Sequence, residues 1–130
     1  MIMKTRNPLL NSNFVVTFKT DSPENNELLK EAIFGFTLHS KVLNEDTIDV
    51  NNYFSLTFIE DEDLNVYTVL NNWMTNLKRF DCIVKIGNKE FTYKSCIPTV
   101  SPSEFISGEL NSVGEVVMYG VVFKFDEVIE

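Results

Sequence analysis

The chain has 130 residues, 44% of them hydrophobic, with eleven Phe and four Tyr, and its nineteen acidic residues against eleven basic ones give a formal charge of −8. That length fits a single domain, residues 1–130, able to bury a core of its own, and the aromatic-rich composition excludes a disordered linker. Lys78-Arg79 is the one adjacent basic pair, so the basic stripe of a nucleic-acid binder is missing and attraction to anionic membranes is excluded as a main activity.

Asn13 to Lys19 sets Phe14, Val16 and Phe18 in alternation with Val15, Thr17 and Lys19, the period of a half-buried strand. The polar, turn-rich stretch Asp21 to Glu27 ends it. Leu28 to Phe36 fits either a short helix carrying Leu28, Leu29, Ala32 and Ile33 or the start of a strand, with Gly35 as the breaker. Thr37 to Leu43 reads as a strand with Leu38 and Val42 on one face, and Asn44-Glu45-Asp46 as a loop. Thr47 to Val50 and Tyr53 to Ile59 follow as strands, the second with Phe54, Leu56 and Phe58 alternating with Ser55 and Thr57.

Asp61 is placed to cap a helix, with Glu62 and Asp63 in its first turn. Leu64, Tyr67, Leu70, Trp73, Met74 and Leu77 recur at three- and four-residue spacing, which predicts an amphipathic helix over about residues 62–78. Asp81 to Ile86 and Lys89 to Cys96 predict a hairpin about Gly87-Asn88. Pro98 and Pro102 place residues 97–109 outside the ladder. Glu115 to Phe125 is a long strand apolar on both faces. Val117, Tyr119, Val121, Phe123 and Phe125 line one face, and Val116, Met118 and Val122 the other. A strand of that kind is covered on both sides, either by core and a neighbouring subunit or by core and the chain's own helix and loop. The expected fold is mainly β: a sandwich or split barrel of six or seven antiparallel strands with one packed helix.

No constellation of residues supports catalysis. His39 is the sole histidine and has no patterned Ser or Cys beside it. Cys82 and Cys96 lack the spacing of a zinc site. They could pair across a hairpin, but with no other sign of export both are expected as free thiols. Glu60-Asp61-Glu62-Asp63 fails the calcium-loop pattern, because Val66 and Asn72 stand where a Gly and a Glu are needed. The five glycines are scattered singly and form no phosphate cradle. The N-terminus lacks the apolar run of a signal peptide, and no segment approaches the ~20 apolar residues of a membrane span. The expectation is a soluble, cytosol-made protein without cofactor, metal or catalytic residues.

The run YFSLTFIEDEDLNVYTVLNNWM, residues 53–74, resembles the tail tube proteins of T4-like contractile phages. In that family an alternating strand meets an acidic turn and then a helix closing on Trp, features that fall here on Phe54 to Phe58, Asp61 to Asp63, and Trp73. Arg6-Asn7-Pro8-Leu9-Leu10 is similar to the family's lead into its first strand. Phe91 to Pro98 resembles its strand into a proline corner, and Gly114 to Val128 its closing strand. The chain departs from the family in its shorter length, a compressed segment before Thr47, and the absence of a Trp near the C-terminus.

The resemblance implies a virion structural protein made in the host cytoplasm. It would form hexameric rings that stack into a tube, with sheath and baseplate proteins as partners and DNA passing through the lumen without specific binding. Related readings are a tube-like ring at the baseplate or tail end and a monomeric β-barrel adaptor. Val117, Tyr119 and Val121 are the candidate subunit-interface residues.

Overall fold

A computed structural model describes residues 13–104, 106 and 116–130. The Arg6–Leu10 motif, Gly108, Gly114 and Glu115 lie outside the described residues. Among those described, β1 (Phe14–Lys19) leads into α1 (Pro23–Ala32), and β2 (Ile33–Thr37), β3 (Lys41–Asn44), β4 (Thr47–Val50) and β5 (Tyr53–Ile59) follow. After α2 (Asn65–Thr75) come β6 (Phe80–Ile86), β7 (Lys89–Pro98), a 3-10 turn at Pro102–Glu104, β8 (Met118–Lys124) and β9 (Glu127–Ile129). The expected mainly β, antiparallel architecture is what the chain adopts.

Among the described residues, seven strands form one sheet in the order β1-β6-β7-β8-β5-β2, with β9 added to β7, while β3 and β4 pair only with each other. β1 and β2 close the two ends of that order without pairing, so the barrel is split. Phe14 of β1 and Phe36 of β2 meet edge to face at 4.9 Å across the split. The helix between these two edge strands, α1, packs on β1.

The sheet turns its corner within β7. Its first residues pair with β6 and β9, and its last two, Ile97 and Pro98, pair with β8. The switch falls at Ser95, which has a left-handed φ of 56° beside a register shift opposite Phe80–Cys82. Such a bulge bends a strand. Asp81 holds this one by accepting from the Ser95 N–H at 3.2 Å and pairing with Lys94 at 3.1 Å, while the Arg79 guanidinium donates to the Ser95 carbonyl at 3.0 Å. Inside the fold, Phe54 stacks on Tyr93 at 4.0 Å, Phe18 reaches Phe58 across the core at 6.4 Å, and Trp73 of α2 packs on Phe80 at 4.7 Å.

Several elements differ from expectation. The polar stretch after β1 is the start of a second helix. The Ser22 hydroxyl accepts from the Asn25 N–H, Pro23 sits at the first position with its ring-fixed φ, and Glu24 lies in the first turn. Gly35 does not break β2 but sits at its register shift. Residues 38–40 are outside any strand and separate β2 from β3. Pro98 belongs to the ladder as the last residue of β7, where a strand end tolerates a missing N–H. The acidic Asp126–Glu130 end contributes β9.

α2 is shorter than residues 62–78 and buries Val66, Val69, Leu70 and Trp73. Leu64 precedes it in the left-handed conformation, and Leu77 follows it at φ 52°. The Lys78 N–H bonds to the Trp73 carbonyl and the Leu77 N–H to the Met74 carbonyl, the pairing of a Schellman cap in which Leu77 takes the position glycine prefers. Its side chain is 76% exposed, so little burial would be lost on removing it. Leu77→Gly should therefore stabilise the chain by about 1 kcal/mol, read as a higher urea midpoint at unchanged slope.

Candidate assembly surface

Both faces of β8 are apolar in sequence until Lys124, and the register with β5 separates them. Phe54, Leu56 and Phe58 stand opposite Phe123, Val121 and Tyr119, and all six are buried. Tyr119 and Val121, two of the three expected interface residues, therefore lie in the chain's own core, at 5% and 0% exposure. Val117, the third, is exposed just before β8, and its carbonyl accepts from the Glu60 N–H at 2.9 Å.

The outward row runs on the opposite parity. Tyr53, Ser55, Thr57 and Ile59 of β5 stand opposite Lys124, Val122, Gly120 and Met118 of β8, and Gly35 and Thr37 of β2 continue the row beside Thr57 and Ser55. Tyr53, Ile59, Met118 and Val122 are exposed. In a chain of nineteen acidic residues, this row holds no carboxylate and one Lys. The signal was present in the sequence as alternate positions free of Asp and Glu on the two strands.

Beside this sheet lies the β3–β4 hairpin, every residue of which is exposed. Lys41, Leu43, Ile48 and Val50 share one of its faces by register, and Leu43 and Ile48 are 72% and 67% exposed. A two-stranded hairpin alone is marginally stable in water. At its base the Asn51 N–H donates to the Ser40 carbonyl at 2.9 Å, and the Phe125 N–H to the Asn52 carbonyl at 3.0 Å.

The acidic run after β5 forms a cap on α2 with a division of labour that differs from the expected one. Asp61 holds the first helical N–H, that of Asn65, and Glu60 the next two: the Glu60 carboxylate accepts from Val66 at 3.0 Å, from Tyr67 at 2.9 Å and from the Asp61 N–H at 3.1 Å. It also accepts the Tyr119 hydroxyl at 2.6 Å. Burial together with this carboxylate keeps the Tyr119 proton on far above the ordinary phenol range. Asp61 accepts from the Asn65 N–H and the Asn65 amide at 3.0 and 2.7 Å. The backbone and side-chain bonds from Asn65 hold its carboxyl below the usual carboxylate range. Glu60 and Asp61 also line an open groove with Glu24, Glu27 and Glu31 of α1.

His39 sits between β2 and β3 with its Nδ1 2.8 Å from the Tyr93 hydroxyl and its ring edge-on to Phe91 and Phe125. Partial burial lowers its pKa, against the pull of Glu130. Cys82 and Cys96 are free and buried. Burial pushes the Cys82 thiol far up and the Cys96 thiol up to about 12, so neither is a ready thiolate. Among the described residues no cluster of three or more His, Cys, Asp or Glu could hold a metal, and no helix is long and apolar enough to cross a membrane.

No protein-family model and no curated protein matches the sequence. A chain in the cryo-EM structure of the anti-feeding prophage baseplate, 6-fold symmetrised, matches with a TM-score of 0.59 over 96% of this chain and 96% of that one, at 10% identity, and the two share a fold.

Proposed function

We propose that the chain is a one-domain structural subunit of a contractile-tail particle that forms hexameric rings, stacked into a hollow tube through which DNA passes without specific binding. It would be a virion component made in the host cytoplasm, contacting sheath and baseplate proteins, with no catalytic role. The observation that carries this reading is the carboxylate-free outer row of β2, β5 and β8. Copies of a chain with net charge −8 repel one another, so copies can meet without opposing carboxylates only where the surface carries none. The adjacent hairpin, exposed on every residue, adds apolar side chains for a neighbour to cover. A ring at the baseplate is the second reading, favoured by the shared fold with a chain of a 6-fold symmetrised baseplate.

Val122 on the outward row provides the test. Val122→Asp should leave a cooperatively folded monomer, because the side chain faces solvent in the single chain, and should abolish the rings or tubes seen by negative-stain electron microscopy and light scattering. Rings that persist in this variant would remove the row from the interface. A wild-type chain that remains monomeric at every concentration, with or without a baseplate to nucleate it, would instead support a monomeric adaptor.

A further inference from the structure

The N-terminal arm of the β3–β4 hairpin is held to the body by the side chains of His39 and Lys41. The His39 ring rests against Tyr93, Phe91 and Phe125, and Lys41, the first residue of β3, pairs with Glu130. Tyr93 is fully buried, and its ring is stacked against Phe54 and tilted against Phe125. The His39 backbone N–H donates toward the Tyr93 oxygen at 3.4 Å. In the neutral imidazole protonated at Nε2, the phenol proton bonds to Nδ1, 2.8 Å away.

We propose that His39 is a proton-operated clasp on the hairpin: neutral, it keeps residues 41–50 docked through the Tyr93 hydroxyl, and protonated, it releases them. A proton on Nδ1 would turn a second donor toward the Tyr93 oxygen. The phenol would then lose its acceptor, and among the described residues its hydroxyl has no other. A buried hydroxyl without a partner is costly, and lifting the His39 arm into water relieves it. The charged groups around the imidazole are Lys41 on β3, Glu130 beyond β9, and Lys89 of β7, which lies 3.9 Å from Glu130. Burial and Lys41 disfavour the imidazolium, while Glu130 favours it. The net effect is a docked form that binds its proton less readily than a free imidazole. By linkage, its contribution to hairpin docking is complete above about pH 6.5 and is lost as pH falls through the lower pKa of the docked form.

The clasp lies within one chain and goes beyond the assembly reading, so either can fail alone. Hydrogen exchange of the full chain, read by mass spectrometry on the peptide covering residues 41–50, tests it at about pH 7.5 and about pH 5.5, on either side of the ordinary imidazole pKa. After correction for intrinsic exchange, the peptide should lose protection in acid. At about pH 5.5 the loss should be at most about tenfold, the limit set by the one unit between that pH and the ordinary imidazole pKa. Tyr93→Phe should leave the peptide fast at both pH values, His39→Gln should remove the pH dependence, and Glu130→Gln should preserve it. Equal protection at both pH values in the wild type, or a pH dependence that survives His39→Gln, would overturn the clasp.

Discussion

Replacing Tyr119 by Asp should leave the chain without a cooperative unfolding transition. The phenol fills a core position at 5% exposure and donates to Glu60 at 2.6 Å. Aspartate vacates most of that volume, and truncating a buried aromatic costs roughly 3–5 kcal/mol. It also places a second carboxylate beside Glu60, where two like charges cannot both ionise cheaply. Against a typical domain stability of about 5–15 kcal/mol, the sum is enough to unfold the chain, and near-UV circular dichroism should collapse. Tyr119→Phe keeps the ring and should cost only about 1–2 kcal/mol. A folded Tyr119→Asp monomer that fails only to assemble would return Tyr119 to a subunit interface, the role expected from sequence. Paired with Val122→Asp, this variant separates the two faces of β8: one change reads folding, the other assembly.

The strands were legible wherever alternation met a turn. Thr47–Val50 and Tyr53–Ile59 lie where the period-two pattern puts them, and Gly87, at φ 57°, makes the turn between β6 and β7. The elements that escaped did so because local chemistry admitted two answers. Ser22-Pro23-Glu24 suits a turn as well as a helix cap, and the tertiary contact of α1 with β1 decides it. The α2 stripe loses both ends because the Glu60 and Asp61 carboxylates start the helix at Asn65, leaving Leu64 outside, while the Schellman cap removes Leu77.

The outward row was hidden by a related ambiguity. On β8 both parities are apolar until Lys124, so alternation alone could not say which face is core. Pairing with β5 supplies the answer, since Phe54, Leu56 and Phe58 leave inward places only for Phe123, Val121 and Tyr119. That pairing joins segments far apart in the chain. The corner at Ser95 was unreadable for the same reason: a serine at positive φ has no sequence signature, and it is held by Asp81 of β6 and by Arg79 just before that strand.

Glu60→Ala should be the most damaging single truncation outside the apolar core. One carboxylate accepts the Val66 and Tyr67 N–H groups of the first helical turn, the Asp61 N–H and the Tyr119 hydroxyl. A hydrogen bond to a charged acceptor contributes about 1.5–3 kcal/mol. Discounted for partial exposure and non-additivity, the total loss should be about 3 kcal/mol. Glu60→Gln, which keeps the acceptor oxygen and surrenders the charge, should fall near 1–2 kcal/mol. A double-mutant cycle with Tyr119→Phe in urea should return a coupling of about 1 kcal/mol or more. A coupling near zero would mean that helix capping and the phenol contact act separately. The position matters for more than stability, because the Glu60 N–H also holds the Val117 carbonyl at 2.9 Å, the point where the chain enters β8. Glu60→Ala keeps that N–H but removes the acceptor of the Tyr119 hydroxyl, so it should loosen the start of β8 together with the first turn of α2, and on the proposed reading ring formation should weaken in Glu60→Ala even where the monomer remains folded.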